Sequence, residues 1–174
     1  MPPTITPTPA VELKNVKRAA FASEETDCFQ ATIYIGGKKA GSVSNDGHGG
    51  SNSYEPRDLY ARLKAITDTL PPVDVSYMYK DDTQHTMDQC PDTFIGELLG
   101  DYLEYKDLQK LCKNKTLFRV PGKTYKPGEF MVMPRFYLPT VKEYIEKNYP
   151  GALILNEDIG AGKPLREIHA KFGK

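Results

Sequence analysis

The hydrophobic pattern changes period along the chain, and the changes mark the expected elements. In residues 11–22, Val11 and Leu13 alternate with Glu12 and Lys14, the period-two text of an outer strand. A polar break at 23–27 follows, then two β-rich runs over 28–45 joined through Gly36-Gly37-Lys38. Paired glycines supply the positive φ of a tight hairpin turn. In the first run Phe29, Ala31, Ile33 and Ile35 share one face and Gln30, Thr32 and Tyr34 the other, so one face packs and the other is wet.

From Pro56 the period lengthens. Leu59, Leu63, Ile66 and Leu70 recur at helical spacing and predict a helix over 56–70, stopped by Pro71-Pro72. A short strand is expected over 73–79, followed by a long acidic loop. Asp92 reads as the N-cap of a second helix, with Phe94, Ile95, Leu98, Leu99, Tyr102 and Leu103 as its apolar stripe. Asp107 reads as the cap of a further short helix carrying Leu108, Leu111 and Cys112. The last third predicts strands over 116–120, 130–133 and 152–155, a helix over 140–148 between Pro139 and Pro150-Gly151, and a short helix over 165–172. Hairpins outnumber βαβ units, so the expected fold is α+β: a mostly antiparallel sheet with three or four helices packed on it. It forms a single domain over 11–174, preceded by a disordered, proline-rich arm over 1–10.

Composition narrows the function classes. The 174 residues carry 23 Lys+Arg against 23 Asp+Glu, which excludes binding to nucleic acid or an anionic membrane by bulk charge. The balance conceals two opposed blocks. Between 74 and 104 there are eight acids against Lys80 alone, and between 106 and 126 seven bases against Asp107 alone. Lys113, Lys115, Arg119, Lys123 and Lys126 form a candidate basic surface for a phosphate backbone or an acidic protein; the alternative is that the blocks neutralise each other or solvate opposite sides. Cys28, Cys90 and Cys112 are too far apart for a CxxC motif and odd in number, which fits reduced thiols and a cytoplasmic protein. No leader and no apolar run of spanning length is visible, so no membrane partner is expected.

The densest chemistry lies in Ser44-Asn45-Asp46-Gly47-His48-Gly49-Gly50-Ser51-Asn52-Ser53-Tyr54. Glycine backbones can aim successive N–H groups at one anion, while Asp46 and His48 are able to act as acid, base or ligand. Asn45, Asp46, Gly47, His48, Gly49, Gly50 and Tyr54 are therefore the candidate binding residues, with Tyr54 available to stack a base. The same residues also make an ordinary polar loop. The spacing matches neither GxxxxGK[ST] nor GxGxxG. His48, His85 and His169 form no HxxxH or HxH pair, and no cysteine has both a histidine and a basic residue beside it. No metal, no cofactor and no catalytic residue is expected, and the enzyme question leans toward binding.

Ala22-Ser23-Glu24-Glu25-Thr26, Cys28-Phe29, Ala31-Thr32-Ile33-Tyr34 and Ser44-Asn45-Asp46-Gly47-His48-Gly49-Gly50, with Tyr149 to Glu157 further on, resemble a family of small, largely uncharacterised bacteriophage and prophage proteins. The resemblance covers 11–55 well and 92–157 more loosely. It implies a phage-type accessory protein acting in the host cytoplasm by stoichiometric binding, the expected partner being a host protein and the expected outcome inhibition of a defence component. The alternatives are a nucleotide or phosphate ligand held by the 44–54 loop, as a sponge or an enzyme, and nucleic-acid binding through 106–126. Oligomeric state is not legible.

Overall fold

The structure, a computed structural model, describes residues 9–78, 83–126 and 128–172. Its fold class is α+β, with every strand pairing antiparallel. The chain divides into two compact units, residues 1–100 and 101–174.

Unit 1 is built on a four-stranded sheet in which chain order is also spatial order: β1 (Val11–Arg18), β2 (Phe29–Ile35), β3 (Lys38–Asn45) and β4 (Ser53–Glu55). The register Leu13↔Ile33 and Ala31↔Val43 puts the apolar set on one face, where Val11, Phe29, Ala31, Ile33 and Val43 are buried. Each of these side chains larger than Ala31 contributes roughly 1.5–3 kcal/mol on leaving water. Gly36 and Gly37, both at positive φ, turn the β2–β3 hairpin, and the Gly36 N–H donates to the Ala10 carbonyl at 2.8 Å. That bond ties Ala10, the last residue of the expected arm, to the turn; residues 1–8 lie outside the described residues. Asn15, at φ +53°, marks the bulge that breaks the β1–β2 register between Lys14 and Lys17.

Helix α1 spans Leu59–Thr67, shorter at both ends than the periodicity implied. Pro56 lies in the preceding turn, its carbonyl accepting from Leu59 N–H, and the last apolar position, Leu70, follows the helix in a turn. A Cβ on Gly41 would fall 2.1 Å from the Glu55 carbonyl and 2.6 Å from Leu59 Cδ2, so this glycine lets the β4–α1 connection cross closely over β3. The expected strand over 73–79 is reduced to β5 (Val73–Asp74), paired with β6 (Thr86–Met87) and followed by a 3-10 turn at Ser76–Met78. Asp74 ends the strand by accepting from both the N–H and the hydroxyl of Ser76. Residue 79 lies outside the described residues.

Helix α2 is continuous over Pro91–Asn114. Asp92 lies in its first turn and does not cap it, and Asp107 is an exposed position within it, so the separate short helix is absent.

In unit 2 a three-stranded sheet has β7 (Thr116–Arg119) between β8 (Met131–Met133) and β9 (Leu153–Ile154). Helices α3 (Pro139–Asn148) and α5 (Leu165–Phe172) agree with expectation, while α4 (Leu155–Gly160) begins on Leu155, the residue expected to finish a strand. The described residues thus hold five helices. Neighbouring residues of β7 face opposite ways: Leu117 joins Leu108, Leu155, Leu165, Ile168 and Phe172, and Phe118 joins Val141, Ile145 and Ile154. Asn156 fastens this arrangement, accepting from Leu117 N–H at 2.8 Å and donating to the carbonyls of Cys112 and Lys115.

Candidate functional site

The glycine loop and the segment 22–27 form one braced structure. Asn45, buried at the end of β3, accepts through Oδ1 from the Thr26 hydroxyl at 2.6 Å and from Gly47 N–H at 2.9 Å. Its Nδ2 donates to the Gly50 carbonyl and to Asn52 Oδ1. The Gly47 carbonyl in turn accepts from the N–H groups of Glu24, Glu25 and Thr26 at 3.0–3.3 Å. Such closeness requires glycine: Gly47 has φ +91°, and a Cβ there would stand 2.0 Å from the Ala22 carbonyl oxygen.

This bracing changes the reading of the loop's donors. The N–H groups of Gly47, His48 and Gly49 are bonded to side-chain oxygens of Asn45, Asp46 and Thr26 respectively. A nest must leave such groups pointing at an open site. Here the chain fills its own nest, and Asn45 and Gly47, both buried, are latch residues rather than contact residues. Asp46 and His48 remain exposed, with His48 Nδ1 3.2 Å from Glu24 Oε2.

Tyr54 is likewise committed. Its hydroxyl donates to Asp92 Oδ1 at 2.7 Å, and its ring meets Tyr60 edge-on at 5.4 Å. Burial, together with the adjacent Asp92 carboxylate, raises its pKa well above the usual phenol range. Asp92 also accepts from Asn52 N–H. The sequence reading missed Thr26, Asn52 and Asp92 as members of this network, because what joins them is pairing across up to 40 residues.

The bracing holds one apolar side chain in water. Phe21 lies at the centre of the 3-10 turn Ala20–Ala22 and is 95% exposed. The turn is closed by Ala19 N–H donating to the Cys28 carbonyl, and Ser23 bridges it, its hydroxyl donating to the Ala19 carbonyl and accepting from Cys28 N–H. Glu24, Glu25, Asp46 and His48 are the exposed polar residues of the same braced structure. Sequence reasoning passed over Phe21 because its run, Ala19 to Ala22, resembles ordinary core text.

The basic surface loses one member. Arg119 is 7% exposed, its guanidinium donating to the carbonyls of Lys126, Glu129 and Phe172 and lying over the rings of Tyr125 and Phe130. A planar, weakly hydrated cation suits such a setting, and here it organises the loop after β7. Lys113, Lys115, Lys123 and Lys126 are exposed.

Two further sets of ionisable groups pair within unit 2. His169 pairs with Glu104 at 2.7 Å, and Asp158 accepts from Lys163 and Lys171, each at 2.6 Å. Among the described residues no group of three His, Cys, Asp or Glu side chains is arranged to hold a metal, and no helix is long and apolar enough to cross a membrane.

Comparison with protein families, curated proteins and solved structures finds no match.

Proposed function

We propose that the chain acts by stoichiometric binding to another protein, with Phe21 as the anchor of the contact. The observation that carries this reading is the 95% exposure of Phe21 on a turn held by the Ser23 hydroxyl and by the backbone bond from Ala19 to Cys28. Binding energy concentrates in aromatic anchors that enter a partner's pocket, and an anchor fixed before binding loses little entropy on docking. Transfer of one phenylalanine from water contributes roughly 1.5–3 kcal/mol. The rim of Glu24, Glu25 and Asp46 favours a socket bordered by Lys or Arg.

The resemblance of the 22–50 text to phage accessory proteins supports a host protein as that partner, with a defence component as the specific expectation. Affinity capture from host lysate tests the reading: the parent chain retains one partner at equal stoichiometry and Phe21→Ser loses it. Equal retention by both chains removes Phe21 from the contact, and the absence of any stoichiometric partner removes the binding reading.

A further inference from the structure

Away from the braced loop, unit 1 carries an open cleft of about 570 Å³, lined by β2, β3, β4 and the two residues after β4. Alternation along the strands places Gln30, Ser42, Ser44, Ser53 and Glu55 on the face opposite buried Ala31 and Val43, and Arg57 stands at the end of the row. In the neighbouring loop the Asn45 and Asn52 side chains are hydrogen-bonded to each other and to groups around them. None of these six side chains has a hydrogen-bond or ion-pair partner among the described residues. Six free polar groups thus converge on one concavity beside a loop in which comparable groups are spent on the fold.

We propose that this cleft binds a neutral polyhydroxylated ligand, a sugar or short oligosaccharide. Three hydroxyls and one amide each donate and accept, Glu55 only accepts and Arg57 only donates, so the lining offers both roles and its two formal charges cancel. A ligand whose own hydroxyls donate and accept in close succession matches that set. A phosphate does not, because the single cation stands two residues from a carboxylate. The sheet imposes the spacing: about 7 Å between Ser42 and Ser44 along β3 and about 5 Å between neighbouring strands, a grid fixed by the backbone. The Pro56 ring adds apolar surface for the C–H face of a sugar.

Maltotriose, cellotriose and chitotriose titrated into the isotope-labelled full chain, followed by amide chemical shifts, test the proposal. The expected result is saturable movement of the Gln30, Ser42, Ser44 and Ser53 amides with at least one of them. Replacing both Ser42→Val and Ser44→Val, residues suited to a strand, weakens that binding roughly tenfold at unchanged melting temperature. Should the double variant melt early, Arg57→Leu, at an exposed position, gives the same reading. Phe21→Ser binds the sugar as the parent does, so this proposal and the protein contact stand or fall separately. Absence of saturable movement with all three sugars, or equal movement with ADP or inorganic phosphate, overturns it.

Discussion

The Thr26 hydroxyl lies 2.6 Å from the amide oxygen of Asn45, and through this bond the segment 22–27 is held against the glycine loop. Asn45 occupies a buried position and makes four hydrogen bonds, two through each end of its amide. Asn45→Ala leaves the Thr26 hydroxyl and Gly47 N–H without their acceptor and is expected to lower stability by about 2–3 kcal/mol. His48→Ala removes only an exposed pair and changes stability by less than about 0.5 kcal/mol. Urea midpoints of the two variants check the contrast. Equal midpoints would show that the loop is not a latch.

Gly47 tests the same brace through the backbone. With φ at +91° and the Ala22 oxygen where a methyl group would stand, Gly47→Ala must displace residues 22–27. The expected loss is about 2–4 kcal/mol, combining left-handed strain with the clash. Gly50→Ala, at φ +86° but with nothing within 4 Å of its Cβ position, carries the strain alone and costs about half as much. Thermal melts of the two chains separate the contributions.

The thiols differ in a way that alkylation can read. Burial pushes the Cys112 thiol up to about 11. Partial burial acts in the same direction on Cys90, but hydrogen bonds from the Thr93 hydroxyl and from the N–H groups of Thr93 and Asp92 overcome it and hold that thiol below its ordinary value. Because the thiolate is the nucleophile, iodoacetamide at neutral to mildly alkaline pH modifies Cys90 at least about tenfold faster than Cys112. Thr93→Val slows Cys90 selectively. Peptide mass spectrometry over a time course gives both rates.

Much of the fold was legible because it follows from local period. Phe29, Ala31 and Ile33 read as a strand face and are one, and Leu59, Leu63 and Ile66 read as a helix face and are buried. The strands β5 and β6 have two residues each, too few to show alternation, and α4 follows directly on β9 without a Pro or Gly boundary. Asp107 resembled a cap because Asp favours caps, yet an exposed Asp inside a long amphipathic helix costs only a few tenths of a kcal/mol. The site was less legible for a different reason. Asn, Asp and Gly serve an open nest and a closed latch equally well, and what decides is whether residues some 20 positions earlier, here Thr26, reach the donors. Arg119 belongs to the basic block by sequence alone, because a charge count cannot register three carbonyls and two rings arriving from later segments.

Arg119 therefore separates structural from surface charge. Arg119→Ala empties a buried stacked site and strands the carbonyls of Lys126, Glu129 and Phe172; a loss of about 2–4 kcal/mol is expected. Charge reversal at exposed Lys113 and Lys115 leaves stability within about 0.5 kcal/mol. Denaturation by urea of the two variants decides, and similar midpoints would return Arg119 to the surface.

The acid response of unit 2 follows from two adjacent carboxylates. Hydrogen bonds from Lys142 and Tyr137 hold Glu157 below its usual carboxylate range. Asp158 is subject first to burial, which would raise its pKa; the bonds from Lys163 and Lys171 outweigh that effect and leave it lowered. A carboxyl whose folded pKa is depressed stabilises the fold fully above its unfolded pKa, about 3.9 for Asp and about 4.3 for Glu, and that stabilisation is lost as pH falls through the folded value. Stability of the parent chain should hold from neutral pH down to about 5 and decline below about 4. Asp158→Asn cannot ionise and offers the two lysine ammonium groups only an uncharged amide oxygen. It should lose about 1–2 kcal/mol at neutral pH, and its decline in acid should be shallower because fewer protons are taken up on unfolding. Urea midpoints measured from neutral pH down to about pH 2 give both slopes. Parallel curves would mean that Asp158 binds its proton equally in the folded and unfolded chains, and that the two lysines contribute nothing to holding it charged.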